Sequence, residues 1–144
     1  MVEADTVKLL RECDAGVKMG IQSIEDVQEQ VENEDFFHCL KACKAEHDKL
    51  HDEIQKRLDA CGDEGKQPPM MATTMSKMKT GVMMAMHPDD HTIADLMTDG
   101  CNMGVKSLNR YLNQYEAADE NSKDIAKRLI HLEAKLAVDI RPYL

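Results

Sequence analysis

Four long stretches of this sequence carry apolar residues at alternating spacings of three and four. That spacing is one face of an α-helix. The first stretch predicts a helix over 6–32, with Val7, Leu10, Asp14, Val17, Ile21, Ile24 and Val31 on its stripe. The second predicts a helix over 35–61, with Phe36, Leu40, Cys43, His47, Leu50, Ile54, Leu58 and Cys61. The third covers 91–118, with Ala94, Met97, Cys101, Val105, Leu108, Leu112 and Tyr115. The fourth covers 122–141, with Ile125, Leu129, Leu132, Leu136 and Ile140. Aromatic residues are only 3% of the chain and Trp is absent, which argues against the strand-rich alternatives.

The connections set the order of these helices. Asn33-Glu34-Asp35 and Asp119-Glu120-Asn121 are short turns, with Asn33 and Asn121 or Ser122 as expected N-caps. Short turns make antiparallel hairpins. Gly62 stands where a left-handed residue closes a helix. Residues 62–90 form a long crossover broken by Pro68-Pro69. Seven of the eleven Met lie in it, and Met71, Met75, Met78, Val82 and Met86 predict a short amphipathic helix. Pro88 ends that helix, and Asp89 or Asp90 caps the next. A connection of this length returns along a bundle. The whole chain, 1–144, is expected to be one such domain.

The two hairpins repeat. Met19-Gly20-Ile21-Gln22-Ser23-Ile24 matches Met103-Gly104-Val105-Lys106-Ser107-Leu108, and Gly16 matches Gly100. Glycines four apart on both helices suggest a close approach of helix one to helix three. With Leu9-Leu10-Arg11-Glu12-Cys13-Asp14-Ala15-Gly16, Asp99-Gly100-Cys101-Asn102 and Cys61-Gly62-Asp63-Glu64-Gly65, the chain resembles the ferritin-like superfamily. More narrowly it is similar to small uncharacterised bacterial ferritin-like proteins. The resemblance implies an all-α, up-down-down-up four-helix bundle made of two repeated hairpins. It also implies a dimetal core built from two Glu and two Glu-x-x-His motifs. This sequence departs from that pattern. Helix two has Asp48-Lys49-Leu50-His51, and Arg128 stands three residues before His131.

Asp14 and His47 interrupt apolar stripes, and Glu133 borders one. A buried carboxylate needs a partner. Matching helix two to helix four by their Leu and Ile pattern sets His47 opposite Glu133. Two readings follow. One is a buried His–Glu pair that fixes helix register. The other is a mononuclear site for iron, manganese or zinc, with His47 and Glu133 completed by Asp48, His51, Glu46 or water. His47 and His51, one turn apart, also form a pair able to hold zinc or nickel at a surface. Asp14 lies about 10 Å from His47 along the axis at 1.5 Å per residue, and is expected to meet Arg57 or Lys56. His38, His87, His91 and His131 fall on polar faces or loops.

Function classes narrow by charge and by motif. A net charge of −9 disfavours nucleic acid, and no Lys/Arg cluster exceeds two, which disfavours anionic membranes. The longest apolar run, Val82 to Met86, is far short of a membrane span. MVEADTVKLL has no signal-peptide pattern, and five Cys without C-x-x-C read as reduced thiols of a cytoplasmic protein. The Cys are expected to be small hydrophobes, none with an activating base. No phosphate loop or nucleophile elbow is present. The leading expectation is a non-catalytic interaction or stress-related protein, a homodimer. The second is the metal-binding protein above. The third is a Met surface, Met71, Met75, Met78 and Met86, that binds a peptide, an apolar ligand or copper(I).

Overall fold

The computed structural model describes residues 3–68 and 89–144. The expected Met-rich helix, with Met71, Met75, Met78, Met86 and His87, lies outside the described residues. Four α-helices pack together: α1 (Ala4–Gln28), α2 (Glu34–Ala60), α3 (Asp90–Gln114) and α4 (Glu120–Asp139). A 3-10 turn, Arg141–Tyr143, follows with Pro142 inside it. Among the described residues there is no strand. No helix among them is long and apolar enough to cross a membrane.

Side-chain caps open three of the four helices. The Asn33 side chain accepts from Phe36 N and opens α2. Asp89 accepts from Thr92 N and opens α3. At α4 the cap is Asp119, not Asn121 or Ser122, because its carboxylate accepts from Ser122 N at 2.8 Å. A carboxylate at a helix N-terminus adds a favourable dipole contact, so α4 starts earlier than its stripe. α1 ends at Gln28, three residues before the last residue of its stripe. Val31, past that end, still packs on the core from the turn. Gly62 takes φ +69° just beyond α2, and Asp63 N returns to Leu58 O.

Long-range bonds give the helix directions. At one end, Asp90 accepts from Glu32 N and Asn33 N, joining the start of α3 to the α1–α2 turn. At the other, Ala117 N bonds Asp5 and Asp119 N bonds Thr6 Oγ1. So α1 and α3 run antiparallel. Along α2 the partners on the last segment fall in number: Phe36 stacks on Tyr143 at 4.5 Å, His47 meets Glu133, and Glu53 meets Arg128. So α2 and α4 are antiparallel too.

The core divides into two apolar clusters. One holds Leu9, Leu10, Cys13 and Val17 of α1, Leu50, Ile54 and Leu58 of α2, Leu108 of α3, and Ile125 and Leu129 of α4. The other holds Ile24 and Val27, Phe36 and Leu40, Ile93, Met97 and Cys101, and Leu136 and Ile140. Full burial of each such side chain contributes about 1.5–3 kcal/mol. Every helix crosses from one cluster to the other near its middle. The residues at the crossing are Gly20, His47, Gly104 and Glu133.

Candidate functional site: the polar layer between the two cores

The layer is built from one residue pair and the space made for it. His47 projects from α2 and is 1% exposed. Glu133 projects from α4 and is 8% exposed. His47 Nε2 lies 2.8 Å from Glu133 Oε1. The other ring nitrogen, Nδ1, donates to Cys43 O at 2.8 Å, one turn back on α2. With both nitrogens donating, the ring is an imidazolium. Burial opposes that charge. The hydrogen bonds to Cys43 and Glu133 and the Glu133 charge overcome it, and the ring is pushed up to about 10.

Two glycines leave room for this pair. A Cβ on Gly20 would sit 2.8 Å from His47 Cδ2 and Nε2 and 3.2 Å from Glu133 Oε1. A Cβ on Gly104 would touch Glu133 at 3.6 Å. These are matching positions of the sequence repeat. The glycines therefore make space for side chains of α2 and α4. Close approach of α1 to α3, the sequence expectation, is not their main use: the nearest atoms to a Cβ on Gly20 or Gly104 belong to α2 and α4, and α3 is met by a Cβ on Gly16 through Leu108 at 3.9 Å.

Thiols flank the pair. Cys43 Sγ is 3.5 Å from His47 Nδ1. Cys101 of α3 lies near Glu133, and burial first, then the Glu133 charge, pushes its thiol up. Cys43 thus has an imidazole beside it that the sequence did not single out, but with both nitrogens protonated the ring is a donor and not a base. The i, i+4 spacing of the two residues was the available signal of that contact.

Asp14 forms a separate buried site, fully enclosed at 0% exposure. Its Oδ2 accepts from Lys18 Nζ at 2.8 Å and from Lys66 N at 2.9 Å. Its Oδ1 accepts from Gln55 Nε2 at 2.7 Å. The expected partners Arg57 and Lys56 are not among these. Gly65, at φ +87°, turns the chain so that Lys66 N reaches the carboxylate. A Cβ on Gly65 would run into Asp14. Lys66 also pairs with Glu12, and Arg11 with Asp63 at 3.9 Å. The segment after α2 is thus fastened to α1.

The remaining candidate ligands go elsewhere. His51 Nε2 is 3.7 Å from Asp14 Oδ1. Asp48 pairs with Lys44 at 3.2 Å, and Glu46 pairs with Lys49 at 3.2 Å. His38, His91 and His131 are exposed. Among the described residues, no group of three or more His, Cys, Asp or Glu side chains is placed to hold a metal ion. Among the described residues the donors of a ferritin-like dimetal core do not fit: the buried imidazole of His47 is bonded at both nitrogens, and Asp14 is surrounded by N–H donors.

No protein-family model, curated protein or solved structure matches this chain. The geometry therefore carries the functional argument by itself.

Proposed function

We propose that this chain is a non-catalytic, ferritin-like bundle, running up-down-down-up, that acts in the cytoplasm by contact with other proteins. In this reading the polar layer is a structural lock. It sets the register of α2 against α4, and the bundle works as a scaffold, paired with a second copy of itself. The partner surface is assigned to the Met-rich stretch with Met71, Met75, Met78 and Met86. The observation that supports the lock is the double engagement of His47, 2.8 Å from Glu133 Oε1 on one side and 2.8 Å from Cys43 O on the other. A metal ligand needs a free ring nitrogen.

The test combines metal loading with stability. The protein is exposed to iron, manganese and zinc under reducing conditions, desalted, and assayed for metal per chain. Less than about a tenth of an ion is expected for each metal, since a metal site needs at least three protein ligands. His47→Leu or Glu133→Gln alone is expected to cost about 3–5 kcal/mol, because one buried partner loses its mate. The double variant His47→Leu/Glu133→Leu is expected to cost much less. One or two ions per chain, lost on His47→Leu, would overturn the reading in favour of a metal-binding bundle.

A further inference from the structure

Five cysteines are present, and their surroundings differ. Cys13 and Cys101 are buried. Burial, then the charges of Glu12 and Asp14, pushes the Cys13 thiol up to about 12. Cys101 is pushed up by burial and by Glu133. Cys39 is half-buried and raised by burial and by Asp139. Cys61 is half-buried at the end of α2. Cys43 is half-buried as well. It differs from the others by lying 3.5 Å from an imidazole nitrogen.

That imidazole is fixed. Its far nitrogen is held at 2.8 Å by Glu133 Oε1, and Nδ1 lies 2.8 Å from Cys43 O and 3.5 Å from Cys43 Sγ. Thiol, imidazolium and carboxylate follow one another, so the cation beside the sulfur is itself held in place. A thiol beside a protonated imidazole is the setting in which sulfur becomes reactive. We propose that Cys43 is a nucleophilic thiol held ready by His47, a modification site for small, uncharged electrophiles of the α,β-unsaturated carbonyl class.

The surroundings fit that class. Lys135 lies near Cys43, but its charge is paired with Asp139. The His47 charge is likewise paired with Glu133 at 2.8 Å, so neither sign of ionic reagent is strongly drawn to the sulfur. Half-burial favours a small, flat molecule. In the step, Cys43 loses its proton to solvent and Sγ bonds the β-carbon. The π pair of the C=C bond moves toward the carbonyl, and the α-carbon takes a proton from solvent. The adduct is the sum of thiol and electrophile. His47 keeps its proton throughout and donates to the sulfur while it is charged.

The test uses the full chain and N-ethylmaleimide, itself an α,β-unsaturated carbonyl compound. Labelling is quenched over time and mapped to each cysteine by peptide mass spectrometry. Cys43 is expected to react about tenfold faster than Cys61. In His47→Leu/Glu133→Leu the Cys43 rate is expected to fall about tenfold while the Cys61 rate holds. Exposure alone would not produce that fall. Protection of Cys13 and Cys101 reports that each variant is folded. A wild-type Cys43 rate equal to or below that of Cys61 overturns the proposal. So does an unchanged Cys43 rate in the folded double variant. Should the variant unfold, shown by labelling of Cys13 and Cys101, the wild-type ratio alone decides.

Discussion

Gly20→Ala and Gly100→Ala make the same chemical change in the middle of a helix, and the structure gives them opposite signs. In a helix interior, Ala is favoured over Gly by about 1 kcal/mol. At Gly100 a Cβ meets nothing within 4 Å, so the full gain of about 1 kcal/mol is expected. At Gly20 the Cβ sits 2.8 Å from His47 Cδ2 and Nε2 and 3.2 Å from Glu133 Oε1. The ring has little room to retreat, because Nδ1 is tied to Cys43 O at 2.8 Å. Overpacking costs about 1–3 kcal/mol, and stretching a charged hydrogen bond adds about 1 kcal/mol or more. Set against the helix gain, Gly20→Ala is expected to destabilise by about 2 kcal/mol. For a chain of 144 residues, about 3 °C of Tm accompanies each kcal/mol. Thermal unfolding followed by circular dichroism is expected to show Gly20→Ala about 6 °C lower and Gly100→Ala about 3 °C higher. Placing Gly20→Ala in a His47→Ala background removes the collision, and the Ala is then expected to be neutral or stabilising. A Gly20→Ala protein at least as stable as wild type would refute the close approach of α1 to the His47–Glu133 pair.

Two other outcomes follow from the buried polar groups. His47 rises from an ordinary value of 6.5 to about 10 in the fold, burial being outweighed by Cys43, Glu133 and the Glu133 charge. Its contribution to stability is full below about pH 6.5 and is lost as pH rises through about 10. Urea midpoints of the wild type are therefore expected to fall across that window, and those of His47→Leu/Glu133→Leu to lose this component of the slope. Asp14→Asn puts an amide NH2 among donors from Lys18, Gln55 and Lys66. A cost of about 1–3 kcal/mol is expected, with faster amide exchange at Lys66 as the local readout. Unchanged exchange at Lys66 would mean that Asp14 does not hold the start of the crossover.

The four helices were legible because each carries a long stripe at helical spacing. The His47–Glu133 contact was legible because both residues sit at or beside apolar stripes at equal height from their turns. Burial without a partner is too costly for either. What the sequence hid was mostly backbone. One Asp14 donor is Lys66 N, brought in by the left-handed turn at Gly65, and no side-chain pattern announces it. Arg57 and Lys56 were the nearer cations by counting, yet Gln55 and Lys18 reach the carboxylate. Asp119 lost the cap reading to Asn121 and Ser122 because all three are good caps and only the path of the chain separates them. The glycine repeat was visible as a pattern, but its use was not. A missing side chain does not say which neighbour needs the space, and here the neighbour was a pair from the other two helices.

His47 is charged and doubly bonded at the layer between the two apolar cores. That state is tested most directly by the ring nitrogens of His47, observed by long-range 1H–15N NMR on imidazole-labelled protein from pH 6 to 10. The spectrum of His47→Leu assigns the signal. Both nitrogens of His47 are expected to stay in the protonated range at pH 8. A His47 ring that titrates near its ordinary value of 6.5, or that shows one unprotonated nitrogen at pH 8, would contradict a charged, doubly bonded ring.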